Sequence, residues 1–292
     1  MRSTPRPAIY FHLHLVSDAT GETLNAVARA ATAQFEMVRP LEHIYALVRT
    51  HRQMDRALKA IEAAPGVVMY TLMSSELRTM LEERCRMLNM PAIPVLDPVL
   101  NVLANYLGLE LSHKPGGQHA MDAEYFRRIE ALNFTMAHDD GQNTGDLEKA
   151  DVILLGVSRT SKTPTCIYLA NRGVKAANIP IVMGCPLPPE LNELTQPLVV
   201  GLTATPERVV QIRRNRLLSL KQSVDASYAA EDTVREEIVF ARRLYRHHNW
   251  PVIDVSRRSI EETAAAVLNL YNEHRQRLAS GGEARPAGPV SE

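Results

Sequence analysis

The chain has 292 residues, 45% of them hydrophobic, and its 33 basic residues balance 33 acidic ones. That length and apolar content suit two domains, or one large one, with well-formed cores. The zero formal net charge argues against a general binder of nucleic acid or of membrane surfaces, because such proteins carry a basic excess. No apolar run has the length of a membrane span, and the N-terminus lacks a signal-peptide core, so we expect no membrane association.

The three cysteines, Cys85, Cys166 and Cys185, are far apart in the chain and match no metal-binding spacing. We interpret them as reduced thiols, which predicts a cytoplasmic protein. Cys166 falls within a predicted helix, where a small core residue is a better interpretation than a nucleophile.

Apolar runs and amphipathic stretches alternate through the first part of the chain. This alternation predicts an N-terminal α/β domain, with a parallel sheet covered by helices on both faces. The predicted strands span residues 9–16, 41–48, 66–72 and 92–96. The predicted helices span residues 24–35, 51–63, 77–88 and 98–107.

A loop rich in hydroxyl groups, SDATGET at residues 17–23, follows the first predicted strand directly. Ligands in open α/β sheets sit outside the carboxyl ends of strands, so Asp18, Thr20 and Thr23 are placed to reach a ligand or a partner side chain. A helix N-cap followed by a Gly turn accounts for the same residues equally well. The residue pattern alone leaves both interpretations open.

A break in the pattern separates this region from the rest of the chain. The stretch LSHKPGGQ holds Pro and two Gly, which end regular structure, and an amphipathic helix is predicted after it at residues 121–136. We place the domain boundary in the polar loop that follows this helix. The predicted division is an N-terminal α/β domain at 1–140, a second α/β domain at 141–278 and a disordered tail at 279–292.

That polar loop has the sequence AHDDGQNTG and spans residues 137–145. Its composition is typical of a solvated linker. Alternatively, His138, Asp139 and Asp140 lie near the loop described next and supply a carboxylate base or a metal ligand. Phosphoryl transfer to a hydroxyl needs an oriented acceptor, and an aspartate often accepts the proton of that acceptor.

The stretch DVILLGVSRTSKTPTCIY, residues 151–168, predicts a buried strand, a tight loop and a helix. Its loop, GVSRTSKT, matches the phosphate-loop pattern G-x-x-x-x-G-K-[ST] except that Ser161 stands in place of the second Gly. In such a loop, backbone N–H groups wrap an anion and the helix N-terminus adds positive potential. The predicted nucleotide-binding residues are Gly156, Val157, Ser158, Arg159, Thr160, Ser161, Lys162 and Thr163.

Two side chains of this loop carry the predicted chemistry. Lys162 places a positive charge on the outer phosphates, and the hydroxyl of Thr163 ligates Mg²⁺. An ordinary strand-to-helix turn that happens to contain Lys is the weaker interpretation, because the strand before the loop and the helix after it both fit a phosphate-binding loop.

Strands and helices alternate again after this loop, which makes the second domain α/β and similar to phosphate-loop kinases. Strands are predicted at residues 179–183, 198–202 and 252–255, and helices from residue 206 onward and at 233–247 and 259–271. Ser259 and Glu262 form a predicted capping box at the start of the last helix.

Two further groups of this domain are candidates for phosphate or metal binding. The helix that opens at Pro206 is rich in arginine, and Arg208 and Arg213 are our candidates to close over nucleotide phosphates, since guanidinium groups bind phosphate in a bidentate manner. A solvated basic face accounts for the same pattern. Asp254, at the end of a predicted strand, is either a ligand of metal or nucleotide or a turn residue.

Several of these segments together resemble the pyruvate, phosphate dikinase regulatory proteins. The segments are, in chain order and in that family's order, SDATGET, AHDDG, GVSRTSKTPT, TPERVVQIRRNR and SIEET, and the resemblance covers about residues 14–271. A sister branch regulates phosphoenolpyruvate synthase and tends to have Cys-Gly before the loop lysine. Thr160 and Ser161 occupy those positions here, so the chain is more similar to the dikinase branch.

The resemblance implies a bifunctional enzyme. Members of the family transfer phosphate from ADP to a threonine of the dikinase, and remove it with inorganic phosphate, releasing pyrophosphate. For this chain, it implies ADP, inorganic phosphate and Mg²⁺ as cofactors, the dikinase as partner and a possible homodimer. It also favours a functional role for SDATGET, so that an acid among Asp18, Asp139 and Asp140 orients the acceptor.

Three other functions are compatible with the residues. The same chemistry could act on phosphoenolpyruvate synthase, or the chain could sense ADP and dock on a partner without catalysis. The acids in SDATGET and AHDDG favour an enzyme, because sensing alone does not need them. A small-molecule kinase is the third alternative, and the separate N-terminal domain argues against it.

Overall fold

A computed structural model describes residues 8–117, 123–220 and 226–280 of the chain. The chain divides into two compact units, Met1–Ala120 and Met121–Glu292. Each unit contains one four-stranded sheet whose strands are all parallel, which confirms the predicted α/β class. Within the described ranges, no helix is both long and apolar enough to span a bilayer.

The first unit alternates strands and helices, as predicted. Its sheet has the order β2-β1-β3-β4. The strand that follows β1 in the chain, β2, lies on one side of it, and β3 and β4 lie on the other side. Residues of β1 alternate between two core clusters, with Leu13 and Leu15 in one and Val16 in the other, as expected for a strand buried on both faces. The elements are β1 (Ile9–Ser17), α1 (Glu22–Thr32), β2 (Val38–Tyr45), α2 (His51–Ala63), β3 (Gly66–Thr71), α3 (Ser75–Met87), β4 (Ala92–Pro94) and α4 (Asp97–Leu107).

The second unit is built in the same way, with sheet order β6-β5-β7-β8. All five residues of β5 are buried, because this central strand is covered on both faces by the unit's core. The elements are α5 (Ala123–Ala137), β5 (Val152–Gly156), α6 (Lys162–Ala170), β6 (Ala176–Pro180), β7 (Leu198–Thr203), α7 (Pro206–Leu220), α8 (Glu231–His247), β8 (Val252–Asp254) and α9 (Ile260–Ala279).

The boundary between the units differs from the predicted one. Helix α5 belongs to the second unit, so the division falls at residue 120 rather than at 140. The reason is that α5 packs against α6 and β6, and the Thr135 hydroxyl donates a hydrogen bond to the Ala176 carbonyl at 2.8 Å. A polar loop after α5 therefore does not separate the units, because it runs along the sheet of the second one.

The ends of the second unit also differ from the sequence prediction. Helix α9 continues to Ala279, eight residues past its predicted end at 271. Its capping box is confirmed: the Ser259 hydroxyl accepts from the Glu262 amide at 3.1 Å, and the Glu262 carboxylate accepts from the Ser259 amide at 2.8 Å. The predicted tail, 279–292, starts at the last residue of α9, and its part from residue 281 onward lies outside the described residues.

Two strands begin three residues earlier than predicted. β2 starts at Val38 and β6 starts at Ala176, where the sequence has no strongly apolar run. In β6 the side chains are small or amidic, and Asn178 is buried because its amide group bonds to the neighbouring loop. An apolar pattern alone cannot detect such a strand.

Candidate phosphate-binding site

The loop between β5 and α6 is a tight turn with two residues in left-handed backbone conformation. Arg159 has φ 75° and Ser161 has φ 59°. At the start of the loop, a Cβ atom on Gly156 would lie 2.6 Å from the Thr160 hydroxyl and 3.0 Å from the Leu202 carbonyl oxygen. Only glycine fits this position, so the loop has the close backbone packing that a phosphate cradle requires.

The backbone conformation of Ser161 explains why the phosphate-loop pattern normally has a second glycine at this position. The residue stands in the left-handed region at the N-cap of α6, where glycine carries no steric penalty and other residues cost about 1–2 kcal/mol. Its side chain does not cap the helix. The N–H groups of the first turn of α6 are therefore left for an anion.

Two substitutions test this account of Ser161. We expect Ser161→Gly to keep the free energy of unfolding within about 1 kcal/mol, because relief of the left-handed strain offsets the greater backbone entropy of glycine. We expect Ser161→Val to lower it by about 1–2 kcal/mol and to weaken ADP binding, since a β-branched residue fits this conformation poorly. Urea unfolding and ADP titration measure both effects, and equal tolerance of Val and Gly would contradict the account.

Lys162 is buried within the loop, with 6% of its surface exposed. Its Nζ donates hydrogen bonds to the carbonyl oxygens of Gly156 at 2.9 Å and Val157 at 3.2 Å. Burial lowers the pKa of Lys162 to about 8, and the charges of Asp140 and Asp139 oppose that shift. Two carboxylates thus lie near the ammonium group, while its hydrogen bonds go to backbone carbonyl oxygens of the loop.

Thr163, Asp139 and Asn178 form a closed hydrogen-bonded triangle beside the lysine. The Thr163 hydroxyl donates to Asp139 Oδ1 at 2.9 Å. The Asn178 amide group donates to the same Asp139 oxygen and to Thr163 Oγ1, the latter at 3.0 Å. The hydroxyl hydrogen is therefore directed at Asp139, and one lone pair of Oγ1 accepts from Asn178, which leaves its second lone pair for a cation.

The backbone of β6 places Asp139 at this position. The backbone N–H of Asn178 donates to the His138 carbonyl oxygen at 3.1 Å, which holds the segment 138–141 against the edge of the sheet. Asp140 follows in a left-handed conformation with φ 55° and is exposed. Its charge is the largest electrostatic influence that raises the pKa of Lys162, so both predicted acids of this loop lie near the lysine.

His138 has a structural role in the same segment. Its Nδ1 lies 2.7 Å from the Phe134 carbonyl oxygen, and its Nε2 lies 2.6 Å from Asp146 Oδ1. Both ring nitrogens face acceptors, so the imidazole is held by its neighbours and is not free to act as a base.

The sequence suggested that Arg213 reaches over the phosphate loop, and the structure shows that it does not. It is 1% exposed, and its guanidinium group forms an ion pair with Glu237 and donates to the carbonyl oxygens of Tyr228, at 2.9 Å, and Ser158, at 3.4 Å. Its positive charge is thus balanced by a carboxylate of α8. We correct its assignment from a phosphate-binding lid residue to a tie that connects the loop to α7 and α8.

Tyr228 is a neighbour of the loop that sequence reasoning missed. Its hydroxyl lies 3.2 Å from Ser158 Oγ and accepts a hydrogen bond from Arg159 Nε at 3.3 Å. The Arg213 guanidinium carbon lies 4.6 Å from the centre of the tyrosine ring. No local signal indicates this contact, because Tyr228 is 70 residues from Ser158 in the chain.

The two remaining candidates of this unit, Arg208 and Asp254, form hydrogen bonds with residues close to them in the chain. Arg208 is exposed at the start of α7, where it donates to Gln211 at 3.2 Å, and its role in binding phosphate stays a prediction. Asp254 accepts hydrogen bonds from the amide and hydroxyl groups of Ser256, the amide at 2.8 Å, which are contacts of a turn residue. The carboxylate that touches Thr163 is Asp139, and the role of Asp254 as a ligand of metal or nucleotide stays a prediction.

Across the described residues, no group of three or more His, Cys, Asp or Glu side chains could hold a metal ion. A Mg²⁺ site does not require one, since this ion typically keeps several waters and uses one or two protein oxygens together with substrate phosphates. The oriented hydroxyl of Thr163 and the carboxylate of Asp139 fit that requirement.

The first unit, taken by itself, has a cavity of about 210 Å³ beyond the carboxyl ends of β1 and β3. Asp18 lines it and is 3% exposed, and Asp18 Oδ2 accepts from the Met73 amide at 2.6 Å. Burial raises the pKa of Asp18. Ser112 and Lys114 also line this cavity, so it has both an acidic and a basic residue in its lining.

Comparison with known proteins places these features in a family. A family model described as kinase/pyrophosphorylase matches residues 13–268. A relative from Caulobacter vibrioides is 60% identical over 277 residues, which are 95% of this chain and 88% of the relative. A relative from Maricaulis maris is 60% identical over 265 residues, which are 91% of this chain and 95% of the relative.

Both relatives carry the provisional name pyruvate, phosphate dikinase regulatory protein. Among solved structures, a periplasmic solute-binding protein of an ABC transporter from Actinobacillus succinogenes matches at 12% identity, covering 98% of this chain and 96% of its own. Its TM-score of 0.21 is too low to bear on the fold.

Proposed function

The chain belongs to the kinase/pyrophosphorylase family, and we propose that it switches pyruvate, phosphate dikinase off and on. In the forward direction it transfers the outer phosphate of ADP to a threonine of the dikinase. In the reverse direction inorganic phosphate attacks that phosphothreonine, releasing pyrophosphate and restoring the hydroxyl. The observation that carries this proposal is the phosphate loop with its buried lysine and the triangle of Thr163, Asp139 and Asn178 beside it.

The residues of the loop have separate roles in this proposal. The backbone N–H groups between Gly156 and Thr163 bind the diphosphate, and Lys162 neutralises the charge that spreads over the transferred group. Thr163 and Asp139 would hold Mg²⁺, which neutralises phosphate charge when bound. Asp139 already accepts two hydrogen bonds within the triangle, so Asp140 and Asp18 remain the acids proposed to orient the acceptor.

One cradle can serve both directions, because pyrophosphate and the diphosphate of ADP share the same anionic core. Thr160 and Ser161 before the lysine favour the dikinase over phosphoenolpyruvate synthase as the partner, on the resemblance described above. We also propose the cytoplasm as the site of the reaction, since all three cysteines are free thiols and the donor is ADP.

The donor is the first property to test. With purified dikinase and ADP labelled in the β-phosphate, we expect label on a dikinase threonine, and a much slower reaction with ATP labelled in the γ-phosphate. The measurement is the rate of label incorporation, followed by identification of the labelled residue. Phosphoenolpyruvate synthase serves as a parallel substrate.

Two outcomes would count against this proposal. Equal or faster threonine labelling from ATP, in a preparation free of adenylate kinase, would refute ADP as the donor. Tight ADP binding with no labelling of either partner would favour a sensor that docks without catalysis.

A further inference from the structure

Asn178 occupies an unusual position for a polar side chain. It lies in β6 with 1% of its surface exposed, between Ala177 and Ile179, which are also buried. An amide buried in an apolar strand costs free energy unless its donors and acceptors are satisfied. Both N–H groups of its Nδ2 have acceptors, one in Asp139 and the other in Thr163.

The other end of the same amide is unsatisfied. Asn178 Oδ1 is buried and has no hydrogen-bond partner among the described residues. A buried carbonyl oxygen without a donor costs about 1–3 kcal/mol, so a position of this kind calls for a donor that arrives with a ligand. A water molecule bound to a cation is such a donor, because the cation polarises its O–H groups.

The triangle also determines what the neighbouring groups offer to a cation. If the Asn178 N–H groups were absent, Thr163 Oγ1 and Asp139 Oδ1 would each lose one hydrogen-bond donor. With them present, a lone pair of Thr163 and the Asp139 carboxylate are held in one arrangement. Polar groups that orient metal ligands in this way typically change metal affinity by 10–100-fold when removed.

We propose that Asn178 is the positioning residue of the divalent-cation site of this protein. Its two N–H groups orient Thr163 and Asp139, and its Oδ1 accepts a hydrogen bond from a water bound to the cation. The proposal rests on the proposed function only in assuming that a nucleotide and a divalent cation bind at this loop. It does not depend on the identity of the acceptor or on any transfer reaction.

The test measures cation binding directly, with Mn²⁺ as a probe for Mg²⁺. The full chain is saturated with ADP, and its Mn²⁺ affinity is determined by electron paramagnetic resonance. We expect Asn178→Leu to weaken Mn²⁺ binding by about 10–100-fold, while ADP affinity measured with chelator and no cation changes less than about twofold. Asn171→Leu is the matched control, because Asn171 is exposed at the end of α6 and its amide bonds only to the Ile167 carbonyl in the described structure.

A second variant separates positioning from simple support of the fold. Asn178→Val removes the same donors with a neutral, β-branched side chain that suits a strand, so we expect a similar loss of Mn²⁺ affinity. In both variants, excess Mg²⁺ should restore nucleotide binding toward the wild-type level. The proposal is overturned if both folded variants bind Mn²⁺ as the wild type does, or if ADP affinity without cation falls as far as with it.

Failure of the proposed function would look different. If the chain does not phosphorylate the dikinase but the Asn178 variants lose Mn²⁺ affinity, the cation site stands and the transfer reaction is wrong. If the wild type binds ADP with no effect of Mn²⁺, the cation site itself is wrong.

Discussion

Replacing Lys162 with alanine is expected to slow phosphorylation and phosphorolysis together, each by roughly a hundredfold or more. In both directions the transition state spreads negative charge over the transferred phosphoryl group. A preorganised positive charge at that position typically contributes on the order of 3 kcal/mol to lowering the barrier. Lys162 meets that requirement, because its amine is fixed by two loop carbonyls and is shielded from solvent.

The measurement is both rates on one purified variant, with circular dichroism to check the fold. Lys175→Ala is the matched control: its Nζ pairs with Glu130, away from the loop residues, and we expect it to change neither rate. Loss of kinase activity with normal phosphorolysis would show two separate phosphate sites. The shared-cradle mechanism would then be wrong.

The pH dependence of the wild type gives an independent check on the same residue. Burial lowers the pKa of Lys162 to about 8, so in the nucleotide-free protein its charge is lost as the pH rises through that value. Bound phosphate favours the charged amine. ADP affinity should therefore fall as the pH rises above about 8, and Lys162→Ala should lack this fall.

The phosphate loop could be predicted from the sequence because all of its determinants are local. The apolar strand β5, the glycine at its end and the lysine at the start of α6 lie within a few residues of one another. The left-handed conformation of Ser161 also follows from the pattern, since glycine normally occupies that position. Local spacing thus determines the backbone of the cradle.

The side chains that complete the site come from distant parts of the chain. Asn178 is 39 residues from Asp139, and it lies in a strand that an apolar pattern does not mark. Arg213 was expected to close over nucleotide phosphates because the sequence does not show its partner, Glu237, which is 24 residues away on another helix. Such contacts depend on how β6, α7 and α8 pack, and a single sequence does not determine that packing.

Replacing Asp18 with asparagine is the second change from which we expect a large effect. If Asp18 accepts the proton of the acceptor hydroxyl, its loss should lower the transfer rate by about a hundredfold or more. The fold should survive, because the amide oxygen of asparagine can still accept from the Met73 amide. ADP binding should stay within about twofold, because the phosphate loop belongs to the second unit.

The cavity around Asp18 gives this expectation its physical basis. Asp18 lies at the carboxyl end of β1, beside β3, which is the position where open α/β sheets bind ligands. Gly21 also lines the cavity and is the N-cap of α1, with φ 83° and no side-chain cap. A hydroxyl group that enters this cavity can donate a hydrogen bond to the Asp18 carboxylate.

The rate of threonine labelling at saturating ADP, as a function of dikinase concentration, measures the effect of Asp18→Asn. Asp55→Asn, an exposed aspartate on α2, is the control with the same change of charge. Burial raises the pKa of Asp18, so as the pH falls Asp18 is protonated at a higher pH than an ordinary aspartate. The wild-type rate should therefore begin to decline at that higher pH. Full activity in the folded Asp18→Asn protein, or simple unfolding, would identify Asp18 as a turn residue and leave Asp140 as the acid for the acceptor.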